Sequence, residues 1–147
     1  MVTIHADIRI ESEANRREHW APKRIRRLHQ QAMIAAVCRE QRAAMRALRI
    51  PLRITFTRFG PRRIDSDNLA NGFKACRDAL MRWIGDGTYD DGAESIEWCY
   101  QQVANGQRIY AVRIELTPVS QEEADRPSFL GGGIRLPASG VPNASRD

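Results

Sequence analysis

Between residues 66 and 84 the apolar side chains Leu69, Phe73, Cys76, Leu80 and Trp83 recur at steps of four, three, four and three. That rhythm puts all five on one side of an α-helix and does not suit a strand, whose side chains alternate every second residue. Asp67 or Ser66 is placed to cap the start of this helix, and Gly85 to stop it. On both sides the period changes to two. Upstream, Leu52, Ile54 and Phe56 alternate with polar residues into a Phe59-Gly60-Pro61 turn; downstream, Ile96, Trp98 and Tyr100 do so, then Tyr110, Val112, Ile114 and Leu116. These are strand signals. An amphipathic helix between half-buried strands has to lay its stripe on their sheet.

The N-terminal part repeats the theme. Ile4, Ala6, Ile8 and Ile10 alternate with Asp7, Arg9 and Glu11, which reads as a first strand. Pro22 suits the first turn of a helix. Ile25, Leu28, Ala32 and Ala35 then recur at helical spacing, so a helix from Pro22 to about Leu48 is expected, ended by Ile50-Pro51. Asn105-Gly106 is a hairpin turn signal between the last two strands. The expected order is strand, helix, strand, helix, strand, strand. The first three elements predict a parallel crossover and the last two an antiparallel hairpin. The fold class is α/β (α+β): a mixed sheet of about four strands with two helices packed on it, in one domain over 1–117. From Pro118 the patterning dissolves, and 118–147 read as a disordered tail.

Charge is segregated along the chain. From Arg9 to Arg63 there are fifteen Arg or Lys against four Glu, whereas Ile64 to Tyr100 holds eight Asp or Glu against three basic residues. A basic half suits a polyanion and an acidic half suits a cation; a basic surface that only serves solubility is the plain alternative. Just two of the 23 basic residues are lysines, Lys23 and Lys74, and arginine is the better fork for phosphate. Cys38, Cys76 and Cys99 have neither disulfide nor zinc spacing and are expected as free, partly buried thiols. No apolar run reaches the roughly 18 residues of a membrane span. The Met1 to Asp7 segment lacks the regions of a signal peptide, so a cytoplasmic location is expected.

The chemistry-bearing residues stand at the two ends of the central helix. Asp65 and Asp67 are two apart, and in an extended segment both project to one side. Paired carboxylates with no base between them suit a hard cation, magnesium or manganese. A D-x-D at a helix start also serves as a cap, and Asp90-Asp91-Gly92 also serves as a turn. A helix of about 17 residues separates its ends by roughly 25 Å, so the Asp90–Asp91 loop must fold back if the two clusters are to meet.

Taken together, Asp65-Ser66-Asp67-Asn68-Leu69, Lys74-Ala75-Cys76-Arg77-Asp78-Ala79-Leu80 and Tyr89-Asp90-Asp91-Gly92 resemble the RusA family of Holliday junction resolvases, small endonucleases that cut four-way DNA junctions. Arg62-Arg63 and Asn15-Arg16-Arg17 also look like family features, and the resemblance covers roughly residues 3 to 117. It implies that Asp65, Asp67 and Asp91 bind the metal with Asp90 assisting, and that Lys74 is the catalytic lysine. Ala70-Asn71-Gly72 stand as an insertion before that lysine; an ungapped alignment would set Asn71 in its place. Asn15, Arg16, Arg17, Arg62 and Arg63 are the candidate DNA contacts, each also readable as solvated surface.

On this reading the chain is a magnesium-dependent endodeoxyribonuclease acting in recombination and repair, with manganese as a substitute ion. Cutting two strands symmetrically calls for a homodimer, and Met33, Ala36 and Val37 of the first helix are candidates for its interface. The alternative is a non-catalytic DNA-binding or regulatory protein with the same fold. An enzyme acting on a small phosphate is disfavoured, because no Gly-rich phosphate loop is present.

Overall fold

The computed structural model describes residues 1–12 and 19–126. Four strands, β1 (Val2–Ala6), β2 (Leu52–Gly60), β3 (Ile96–Ala104) and β4 (Ala111–Pro118), form one mixed sheet in the order β1-β4-β2-β3. Strand β4 is antiparallel to both β1 and β2, and β3 is parallel to β2. Ile4, Ile114, Phe56 and Tyr100 lie side by side in register across all four strands, and all four are fully buried. The helices cover this face: Phe73 stacks its ring 4.8 Å from Phe56 and 5.9 Å from Tyr100. Among the described residues no helix is long and apolar enough to cross a membrane.

The mixed α+β sheet is as expected, but the β3–β4 hairpin is not. Strand β2 lies between the two, so Asn105-Gly106 begins a loop that crosses the end of β2. Residue parity explains this. A two-residue hairpin at Asn105-Gly106 would oppose Trp98 to Arg113 and Tyr100 to Ala111, mixing the apolar side of β3 with the polar side of β4. Pairing both strands with β2 keeps Leu52, Ile54, Phe56, Ile96, Trp98, Tyr100, Val112, Ile114 and Leu116 on one face.

The first helical segment is α1 (Trp20–Glu40) followed by α2 (Arg42–Ala47), close to the expected span. Its buried face is a different one. Gln30, Ile34 and Cys38 are buried and Met33 and Val37 pack against the core, whereas Ile25 is 68% and Leu28 53% exposed. Two polar anchors set this rotation: Gln30 Nε2 donates to the Arg9 carbonyl (3.3 Å) and Gln41 Nε2 to that of Thr3 (3.0 Å). Met33 and Val37 are thus core residues rather than interface, and only Ala36 of that trio is exposed.

The central helix is broken in two, α3 (Ser66–Gly72) and α4 (Lys74–Met81), at Phe73. The segment Ala70-Asn71-Gly72 is the end of α3. A Cβ on Gly72 would lie 2.7 Å from Ile10 Cγ2, so only glycine allows so close an approach to the chain after β1. The break still delivers Leu69, Phe73, Cys76 and Leu80 to the core. Order also extends past residue 118, which corrects the expected boundary. Val119 N donates to the Pro51 carbonyl, Ser120 caps a short α5 (Gln121–Ala124), and Glu123 pairs with Arg53 at 2.7 Å. The remainder of the expected tail, 127–147, lies outside the described residues. All three cysteines are free and buried, and burial pushes the thiols of Cys38 and Cys76 up to about 12.

Phe73 joins the helix break to the aromatic row of the sheet. Phe73→Ala should therefore cost about 3–5 kcal/mol, measured by urea unfolding. A loss under about 1 kcal/mol would show that the break is held by other contacts.

Candidate active site

Asp65 ends the segment after β2 in an extended conformation and precedes the first turn of α3; its side chain makes no capping hydrogen bond. Asp67 lies in that first turn. Both are exposed. Carboxylates near a helix N-terminus are favoured by the dipole, the plain structural role anticipated for the D-x-D pair.

At the other cluster, Asp91 is engaged. Arg77 Nη2 donates to its Oδ2 at 2.7 Å, and Lys74 Nζ stands 4.0 Å from the same oxygen and 3.6 Å from Asp78 Oδ1. The Arg77 hydrogen bond holds the Asp91 carboxyl below its ordinary value of 3.8. Arg77 also donates through Nη1 to the Tyr100 hydroxyl (3.0 Å), and its guanidinium lies 5.0 Å over the Trp98 ring. Trp98 Nε1 donates to the Asp91 carbonyl at 3.0 Å. The loop before β3 is thereby tied to α4 and to the core. Asp90 is exposed and accepts a hydrogen bond from Gly92 N at 2.8 Å, the geometry of an Asx turn.

Lys74 and Arg77 on one face of α4 thus both stand at Asp91. Asp65 and Asp67 do not join them: among the described residues no group of three or more His, Cys, Asp or Glu side chains is placed to hold a metal ion. The fit to a divalent ion is accordingly partial. Asp65 and Asp67 offer acceptor-only oxygens of the right hardness, but Asp91 gives Oδ2 to Arg77.

A cavity of about 280 Å³ adjoins the start of α3, lined by Arg63, Ile64, Ser66, Leu69, Tyr100 and the Gln101–Gln102 pair. Gln102 fixes its wall by accepting from Ile64 N (2.9 Å) and donating to the Ile64 carbonyl (2.7 Å). Tyr100 both lines this cavity and contacts Arg77, which links it to Asp91. Arg62 and Arg63 are exposed beside it. Asn15, Arg16 and Arg17 lie outside the described residues.

Arg77, Tyr100 and Gln102 are the residues that sequence reasoning missed. Arg77 sits three positions after Lys74, on the same helical face, and that spacing was available as a signal. Tyr100 reads as core from its alternation, which it is. Gln102 carries no signal at all. No family model, curated protein or solved structure matches this chain.

The Arg77–Asp91 pair has a defined pH signature. A depressed carboxyl contributes stability that is complete above its unfolded pKa near 3.8 and is lost as pH falls through the lower folded value. Arg77→Met should raise the Asp91 titration midpoint, followed by carboxyl NMR, and move acid unfolding to higher pH. An unchanged midpoint would mean that Arg77 does not hold this carboxylate in solution.

Proposed function

We propose that this protein is a divalent-metal-dependent endodeoxyribonuclease acting on branched DNA, of the kind that resolves four-way junctions. The observation that carries the reading is the meeting of Lys74 and Arg77 with Asp91, which joins two motif pieces separated in sequence into one charged cluster. Three further features support it. Exposed carboxylates stand at the start of the same helical segment, Arg62 and Arg63 flank them, and the basic excess lies in the half of the chain that leads up to them.

Asp65 and Asp67 would hold magnesium, with Asp90 and Asp91 as the further carboxylates the motif offers, and the ion would supply a more acidic water and neutralise charge on the phosphate. The chain's own part is electrostatic. Lys74 presents fixed positive charge where negative charge grows on a phosphate, and Arg77 fixes the orientation of Asp91. Arg62 and Arg63 grip backbone without reading bases, a role proposed equally for Asn15, Arg16 and Arg17.

Cleavage of a synthetic four-way junction is expected with magnesium or manganese and not with EDTA. Asp67→Asn should lower the rate by at least about 100-fold, the scale on which charge-stabilising groups act, while leaving junction binding intact. Equal cutting of linear duplex would remove the junction selectivity but keep the nuclease. Binding without cleavage under every divalent metal would favour the second reading, a non-catalytic DNA-binding protein. That reading is favoured by the engagement of Asp91 Oδ2 with Arg77.

Action on a twofold-symmetric junction implies a homodimer, and α1 offers a face for it. Ile25, Leu28, Ala32 and Ala36 form an exposed apolar line. An antiparallel pairing centred on Ala32 sets Leu28 against Ala36 and the exposed Arg24 opposite Glu40, the one acidic residue of α1. Leu28→Glu should convert the dimer to monomer in analytical ultracentrifugation while leaving the circular dichroism spectrum of the folded chain unchanged. A wild type that sediments as a monomer at micromolar concentration would remove this interface.

A further inference from the structure

The crossing of β2 by the β3–β4 connection has a product of its own. It brings Arg108 and Tyr110 up to the turn that follows β2, where Pro61, Arg62, Gly106, Arg108 and Tyr110 line a groove of about 630 Å³. The groove continues past Pro61, Arg62 and Tyr110 into a second hollow of about 270 Å³, walled by Arg9, Ser12 and Arg58 among others. Ile64 lies at the end of that hollow and also lines the cavity beside Ser66, so the groove leads towards Asp65.

Both walls are held by hydrogen bonds to backbone. Arg58 is buried, and its Nε and Nη1 donate to the carbonyls of Ile10 (2.9 Å) and Arg62 (2.8 Å). Gly60 leaves room for it, since a Cβ there would stand 2.8 Å from Arg58 Nη2. On the other wall Asn105 N donates to the Gly60 carbonyl (2.9 Å), Asn105 Nδ2 donates to that of Ile109 (3.0 Å), and Asn105 Oδ1 accepts from Gln107 N (3.0 Å). The groove is thus built before any ligand arrives.

Its chemistry is one-sided. Among the described residues Arg9, Arg58, Arg62 and Arg108 surround it, against a single acid, Glu11, which is paired with Arg9. The Arg9 guanidinium lies 4.6 Å over the Tyr110 ring. Ser12 Oγ is buried on the inner wall and has no hydrogen-bond partner among the described residues. Cationic forks beside an aromatic ring are the equipment of a single-strand track, where arginines follow phosphates and rings meet bases.

We propose that this groove carries one strand of the branched DNA towards Asp65, with Arg62 and Arg108 on its phosphates and Tyr110 against a base. The inference rests on the proposed action on DNA and adds the path of the strand. Arg9, Arg108 and Tyr110 enter as binding residues that the motif does not contain.

Fluorescence anisotropy of the full-length protein in EDTA, with a labelled oligo-dT and a labelled four-way junction titrated at several KCl concentrations, tests it. Arg62→Ala and Arg108→Ala should each weaken binding and reduce the slope of log K against log salt by about one. Tyr110→Ala should weaken oligo-dT binding by about tenfold at unchanged slope, with Tyr110→Phe restoring it. Arg82→Ala, an equal charge change on an exposed residue away from the groove, should alter neither. Wild-type binding with unaltered slopes in Arg62→Ala and Arg108→Ala overturns the groove and leaves the nuclease reading standing. An equal effect of Arg82→Ala also overturns it. Absence of wild-type binding to either DNA overturns both.

Discussion

Strand β2 is hydrogen-bonded along its length on both sides, parallel to β3 and antiparallel to β4, and the other elements take their places from that. A strand paired on both edges with Leu52, Ile54 and Phe56 fully buried cannot slip by one residue without turning those side chains out of the core. Its parallel partner β3 can be reached only by a crossover, and α3 and α4 provide it over the sheet face. Its antiparallel partner β4 can be reached from β3 only by a loop passing beyond the end of β2. The acidic cluster is therefore built on the crossover and the basic groove on the loop. One pairing choice sets opposite charges at neighbouring places.

Within the cluster, Arg77 is the residue on which the electrostatics turn. Its guanidinium touches Asp91, Tyr100 and Trp98 at once. It anchors a loop carboxylate to the core by two charge-assisted hydrogen bonds, one to the ionised Asp91 and one to the neutral Tyr100 hydroxyl. An arginine so placed competes with a cation for Asp91 Oδ2, because an oxygen that accepts from a guanidinium at 2.7 Å has little density left to offer a second positive centre. Among the described residues no arginine or lysine pairs with the two exposed carboxylates at the start of α3. Of Asp65, Asp67, Asp90 and Asp91, Asp91 alone is held by a cationic side chain among the described residues.

Helix α1 shows how a composition rich in alanine leaves a face undecided. Ile25, Leu28, Ala32 and Ala35 and the set Ile34, Cys38, Met33 and Val37 are both apolar lines at helical spacing, so periodicity supports either. The choice falls to the second because Gln30 and Gln41 reach backbone carbonyls of Arg9 and Thr3, bonds that satisfy buried acceptors. The cost is an exposed isoleucine and leucine.

By itself the sequence determined the kinds of element and most of their spans, because periods of two and of 3.6 are local properties of the backbone. It also determined that the core row would draw on Ile4, Phe56, Tyr100 and Ile114, and that Lys74 and Asp91 bracket one helical segment. The veto on the hairpin was legible too, since the even positions of β3 and β4 cannot share a face across a two-residue turn. Only the tertiary structure decided which strand lies between which and which face of α1 is buried. It alone broke the central helix at Phe73 and set Arg77 on Asp91. These outcomes depend on contacts between residues distant in the chain, whose energies compete globally and leave no mark in any short window of sequence.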